Sequence, residues 1–359
     1  MKKKILIPAT LLILIFGLAV FFLANKNSSV KSEIVENVSG NKASDINLQK
    51  ENKFLFVPYW TIDNKIESLG YDKLVYFGIT IDNEGIDKND AGYQNINKFI
   101  SYSEINIGKM LAVRILNQEL GSLVLKKQKF QEQIIEESIN IAGKNSFKGI
   151  VLDFEINGIP FESFTKSISD FYTAYYKSCK KNRLDYYITL YGDSFYRLRP
   201  YDVKTLAQNS DGVLIMAYDL HKAGGDPGPN FPLSGKEVFG YDFKTMIDDF
   251  LKIVPKEKIT VIFGLYGYDW TIDNEGRSKA SAWSLSYNEI KMKFLQDCIL
   301  DNCVIKQDKV SSEMKITYMD NNKNNHVVWF EDMESVLAKQ KYLKRTGISS
   351  FGFWAYSYF

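Results

Sequence analysis

The chain has little of what metal and thiol chemistry require: three cysteines and two histidines among 359 residues. Structural zinc gathers about four Cys or His ligands, and Cys179, Cys298, Cys303, His221 and His326 lack that spacing. We therefore expect no metal and no cofactor, which sets aside a metal-dependent hydrolase or polysaccharide deacetylase. Cys298 and Cys303 either form a local disulfide in an oxidising compartment or stay two buried thiols, with Cys179 left over. No strained serine elbow accompanies His221, so nucleophile–base chemistry finds no support. Net charge is also scarce. The formal +2 includes Lys2, Lys3, Lys4 and Lys26, which flank an apolar segment, and the remainder is slightly acidic. Nucleic acid is not an expected partner, because no basic footprint exists. No carbohydrate-binding repeat is evident.

The composition is that of an ordinary globular protein with room for one large domain or two modest ones. Tyr and Phe are plentiful, but cores and sugar-stacking platforms use them equally.

After the basic start, residues 5–24 are almost purely apolar. About 20 residues at 1.5 Å rise span roughly 30 Å, the hydrocarbon thickness of a bilayer. Residues 1–26 read as a membrane anchor, with a cleaved signal segment as the competing reading. The positive-inside rule then places the rest of the chain outside the cytoplasm, anchored by one N-terminal helix or secreted. Residues 27–52 are polar and aperiodic, a tether between membrane and domain.

From Lys53 onward, short apolar runs (54–60, 74–80, 110–115, 149–155, 187–191, 212–218, 260–265 and 351–355) alternate with helical patterns. In one of these, Phe243, Met246, Ile247 and Phe250 form a stripe at helical spacing. About eight strand–helix alternations predict an α/β fold, the TIM (β/α)₈ barrel, over residues 53–270 and 327–359. Residues 271–326 interrupt the alternation and predict a small α+β insertion subdomain between strands seven and eight. Part of 34–50 is expected to cover the flank beside the eighth strand.

The segment from Phe147 to Glu155 carries the most chemistry. Alternation puts Val151, Asp153 and Glu155 on one face and Ile150, Leu152 and Phe154 on the other. In a barrel the first set points inward and delivers two carboxylates to the C-terminal mouth. A buried, unpaired carboxylate is costly, so this placement signals partners or function.

This run resembles the fourth-strand motif of glycoside hydrolase family 18, the chitinase-like hydrolases, Asp-Gly-x-Asp-x-Asp-x-Glu. Here the last Asp and the Glu are Asp153 and Glu155, while Lys148 and Val151 occupy the first two acidic positions. Other blocks follow in the family's order. Met216-Ala-Tyr-Asp219 resembles the Met-x-Tyr-Asp motif, followed by a glycine/proline loop from Gly224 to Pro229. The stretch from Ile262 to Trp270 resembles the seventh-strand block, with Tyr266 in place of a proline. The stretch from His326 to Asp332 resembles the block returning from the insertion, and Phe351 to Trp354 the last strand. The likeness is closest to the bacterial branch of spore-cortex and cell-wall lytic enzymes.

The resemblance implies a retaining hydrolase, acting as a monomer on chitin or peptidoglycan, that cleaves bonds at N-acetylglucosamine (GlcNAc) with the substrate's own acetamido group as nucleophile. It makes Glu155 the acid, Asp153 the residue that orients the acetamido group, and Tyr218 a donor to the acetamido oxygen. Asp219 and Met216 line the same subsite, and Trp354 floors the sugar. Tyr59 and Trp60, Arg114 with Asn117, and Tyr266 are further candidate sugar contacts. The competing readings are a non-catalytic glycan-binding barrel and a cell-surface scaffold. Chitin, peptidoglycan and N-glycan substrates, and endo or exo cleavage, stay open.

Overall fold

The computed structural model describes residues 51–68 and 70–359. The membrane segment, nearly all of the tether and the expected flank cover fall outside them. Among the described residues no helix is long and apolar enough to cross a membrane.

Seven strands, β1 (Asn52–Pro58), β2 (Lys73–Ile79), β3 (Gly108–Ile115), β4 (Gly149–Phe154), β5 (Asp185–Tyr191), β6 (Gly212–Ala217) and β7 (Ile259–Gly264), enter a barrel in chain order. The strand Ser350–Trp354 closes it between β1 and β7, and every pairing is parallel. Because both faces of such strands are covered, their sequences are apolar runs rather than clean alternations. The two faces nevertheless separate as parity requires. Ile150, Leu152 and Phe154 pack in the outer layer against the helices. Val151 sits inside the barrel with Phe54, Phe56, Phe77, Met110 and Leu214. The helix Phe243–Leu251 buries its whole stripe, Phe243, Met246, Ile247 and Phe250, with Asp242 capping the backbone N–H of Thr245.

Several strands stop before the apolar run does. Pro58 ends β1, and Tyr59–Thr61 turn into a 3-10 helix. β4 ends at Phe154 and β6 at Ala217, so Glu155 and Tyr218 lie just past the last paired residue. That is where a side chain is free of the packed barrel interior and faces the mouth.

The insertion forms a second, antiparallel sheet. Its strands are β8 (Tyr266–Ile272), β9 (Trp283–Ser286), β10 (Asp301–Gln307), β11 (Met314–Met319) and β12 (Asn325–Phe330), ordered β10-β11-β12-β8-β9. Ser350–Trp354 is therefore β13. The sheet takes in residues on both sides of 271–326, because only Leu265 separates the end of β7 from the start of β8. The largely apolar stretch of 259–268 hides this junction. Pairing of β8 with β12, from Gly267 opposite Phe330 to Ile272 opposite Asn325, determines it.

A buried charge cluster fastens this sheet to the barrel. Lys339, on the helix Met333–Thr346, contacts Glu313 at 3.0 Å and also Glu331, and all three side chains are fully buried. The Glu313 carboxylate also accepts the backbone N–H groups of Asn230 (2.6 Å) and Phe231 (2.8 Å). Cys298 and Cys303 are disulfide-bonded, and Cys179 is a buried free thiol.

Candidate active site

Parity along adjacent strands delivers the site. Asp153 on β4, Thr189 and Tyr191 on β5, and Met216 on β6 take inward positions near the strand ends, with Glu155 and Tyr218 just beyond them. The Thr189 hydroxyl donates to Asp153 Oδ1 at 2.5 Å, and Asp153 is 3% exposed. Burial is the main cause that raises the Asp153 carboxyl's proton affinity, followed by the charge of Glu155. The Thr189 hydrogen bond and the charge of Arg114, its register partner on β3, act against that rise.

Glu155 is half-buried, and Tyr191 Oη donates to its Oε2 at 2.6 Å. Burial raises this carboxyl too, while the Tyr191 hydrogen bond and the Lys222 charge lower it. Two carboxyls raised by burial and by proximity titrate as a pair, and one retains a proton near neutrality. That is the state a general acid needs.

The supports of Glu155 are themselves held by further contacts. Arg199 lies 3.8 Å from the Tyr191 ring centroid. Its guanidinium grips Asp193 through Nε and Nη2, both at 2.9 Å, and Arg197 adds a third contact at 3.0 Å. The Tyr201 hydroxyl accepts from the N–H of Ile156 and donates to the carbonyl of Phe154, each at 2.9 Å. It thereby fixes the strand end on both sides of Glu155.

Asp219 holds a left-handed backbone (φ 60°). Its carboxylate accepts from Tyr266 Oη (2.5 Å) and Tyr268 Oη (2.7 Å), and its N–H donates to Asn230 Oδ1 (2.7 Å). Tyr218 leans on Gly264, where any Cβ would lie 2.9 Å from the Tyr218 Cβ. Burial pushes the Tyr218 hydroxyl up, so it stays a donor.

These groups enclose a recess of about 30 Å³ lined by Glu155, Tyr191, Met216, Tyr218, Asp219 and Lys222. It admits a small polar group, not a sugar ring. Beside it runs a cleft of about 820 Å³, the size of a ligand site. Trp60, Tyr266, Tyr268 and Trp354 form its aromatic side, and residues of β9 and the following helix form the other. Tyr266 and Tyr268 connect the two spaces through Asp219.

Glu155, Asp153, Tyr218, Asp219, Met216 and Tyr266 thus come together, and Trp354 and Trp60 line the cleft. Arg114 is placed differently. Its guanidinium lies 5.2 to 5.9 Å from the ring centroids of Phe77, Tyr59 and Trp60, and 3.8 Å from Asp90. Tyr59 packs on the outer core and edge-on against Trp60 and lines neither space. Asn117 caps the helix Gln118–Lys126, accepting from the N–H groups of Glu119 and Leu120. Thr189, Tyr191, Asp193, Arg199, Lys222, Asn230 and Tyr268 were not singled out in the sequence. For Thr189 and Tyr191 a signal existed: they share inward parity with Tyr187 on the strand next to β4.

The model for glycosyl hydrolases family 18 matches residues 47–358. A cortical fragment-lytic enzyme of Bacillus anthracis is 27% identical over 247 residues, 66% of this chain and 52% of the relative. The chain spans about half the length of such curated relatives. Among solved structures, a Group IV chitinase of Ostrinia furnacalis in complex with allosamidin superposes with TM-score 0.73 at 18% identity, covering 85% of this chain and 92% of that one. The spore cortex-lytic enzyme SleL of Bacillus cereus gives 0.66 at 21% identity, covering 86% and 71%. Both likenesses establish the fold.

Proposed function

The chain belongs to glycosyl hydrolases family 18, and we propose that it hydrolyses β-linked N-acetylglucosamine in a cell-wall or chitin-like polymer with retention of configuration. The observation that carries this reading is the pairing of a half-buried Glu155, hydrogen-bonded by Tyr191, with a buried Asp153 two residues before it on β4, and a small recess lined by Glu155, Tyr218 and Asp219.

Glu155 donates its proton to the glycosidic oxygen as that bond breaks. The acetamido oxygen of the sugar on the retained side attacks the anomeric carbon and forms an oxazolinium ion. Asp153 takes the developing positive charge and orients the acetamido N–H, while Tyr218 Oη donates to the acetamido oxygen. Glu155, now a carboxylate, removes a proton from water as it opens the ring. The recess explains the demand for an N-acetyl group, because a smaller substituent leaves Tyr218 without an acceptor. Trp354 and Trp60 offer faces for the sugar rings of the polymer.

We also place this activity outside the cytoplasm. The basic start followed by the apolar 5–24 supports export, and the Cys298–Cys303 bridge fits an oxidising compartment.

The test is hydrolysis of a GlcNAc oligomer and of purified peptidoglycan by the chain and by its Glu155→Gln variant. Release of GlcNAc reducing ends from either polymer, lost in the variant, is expected. Full activity in Glu155→Gln overturns the mechanism.

A further inference from the structure

Two guanidiniums share one buried carboxylate in the loop after β5. Asp193 receives Arg199 through Nε and Nη2 and Arg197 through Nη1. The other acceptors of the two arginines are neutral. Arg199 Nη1 donates to Asn157 Oδ1 at 2.9 Å, and Arg197 Nη2 to the carbonyl of Leu220 at 2.8 Å. The cluster therefore ties together the loops that follow β4, β5 and β6. The Arg197 side chain is 40% exposed, so solvent screens it, whereas Arg199 is 8% exposed. Because Asp193 divides its charge between them, the buried cation is incompletely balanced. Burying such a charge is costly, which points to a use beyond packing.

What Arg199 faces is Tyr191. Its guanidinium carbon lies 3.8 Å from the ring centroid, against 5.4 Å for the ammonium of the exposed Lys222. A cation held over a phenol ring draws electron density from it and makes its hydroxyl a better donor. That hydroxyl donates to Glu155 Oε2 at 2.6 Å, the length of a charge-assisted bond. We infer that Arg199 is a positioning residue for the acid, holding the Tyr191 ring in place and strengthening the hydrogen bond that it donates to Glu155. This rests on the hydrolase reading above and deepens it. The other groups that face Glu155 are Asp153 on β4, Tyr218, Asp219 and Lys222 past the end of β6, and Tyr201. Burial raises the proton affinity of Glu155 and the Tyr191 hydrogen bond lowers it most. The charge of Lys222 lowers it further, that of Asp219 raises it, and the direct pull of Arg199 is weaker than any of these. Arg199 thus acts on the acid chiefly through the tyrosine.

A double-mutant cycle on the full chain tests this. The titration of the Glu155 carboxyl is followed by carboxyl-carbon NMR, its signal assigned by its loss in Glu155→Gln. The chain is compared with Tyr191→Phe, Arg199→Met and the double variant, and kcat/KM on a GlcNAc oligomer is measured against pH in the same set. Each single substitution weakens a bond that favours the carboxylate, so each moves the Glu155 titration upward, by about one pH unit. In the Tyr191→Phe background, Arg199→Met moves it much less. If Arg199→Met does not fold, Arg199→Lys keeps a cation beside Asp193 and gives a smaller shift of the same sign, again lost without the Tyr191 hydroxyl. Equal shifts in both backgrounds, or no shift, overturn the inference and leave Arg199 a packing residue. If the intact chain cleaves no GlcNAc polymer, the hydrolase reading fails, while the NMR cycle still decides the role of Arg199.

Discussion

The hydroxyl of Thr189 on β5 donates to Asp153 on β4 at 2.5 Å, inside the barrel, at a level where Val151 offers the carboxylate no partner. In the fuller family motif an acidic residue stands at the Val151 position and can share a proton with the following Asp. Here a neutral hydroxyl from the next strand performs the holding, and the Val151 position adds no negative charge to that of Glu155.

Replacing Thr189 by Val keeps the shape and removes the donor. Ionised Asp153 then loses a stabilising hydrogen bond, so it keeps its proton to higher pH. The acid limb of the kcat/KM profile is expected to move upward, with roughly a tenfold loss at neutral pH. A limb that stays in place assigns Thr189 a packing role only.

Tyr191→Phe acts on the other carboxyl with the same sign. The lost hydrogen bond raises the proton affinity of Glu155, the acid, so the alkaline limb is expected to shift to higher pH. Activity at the optimum falls by about tenfold, because the acid is no longer held in one rotamer. The profile on a chromogenic GlcNAc oligomer measures both effects.

Asp153→Asn should cut turnover by roughly 10²-fold or more, the scale of lost electrostatic stabilisation. It should also stabilise the fold at alkaline pH. Both site carboxyls are raised above their unfolded pKa of about 4. Between that value and their raised folded values the native chain binds more protons than the unfolded one, so stability falls as pH rises. Removing one of the pair is expected to lift Tm at pH 8 by a few degrees, and less at pH 4, by thermal melts. Equal increments at both pH values contradict the buried-pair account.

The Lys339 cluster supplies a test of stability. Lys339→Met leaves Glu313 and Glu331 buried without their counter-charge, a loss of about 3–5 kcal/mol. Glu313 also holds the backbone at Asn230, whose side chain accepts the N–H of Asp219. Hydrolysis should therefore fall along with the urea midpoint. Glu313→Gln should show the same coupling in milder form. A stability loss with unaltered activity separates the cluster from the site.

Local periodicity was enough to foresee the barrel and the inward set on β4, because alternation along a strand is a property of neighbouring residues. Val151 and Ile150 went to opposite faces as parity demanded. The same logic brought Glu155 to the barrel mouth, while the family resemblance named Tyr218 and Trp354. It located none of their partners. Tyr191 and Glu155 are separated by 36 residues, Lys339 and Glu313 by 26, and Asp219 and Tyr268 by 49.

Sequence by itself therefore determined the barrel and which side chains of β4 point into it. Tertiary structure alone decided which hydroxyl meets which carboxylate and where the second sheet takes over from the barrel. Those outcomes depend on interstrand register and loop closure. Both arise from long-range packing, which no short stretch of chain encodes.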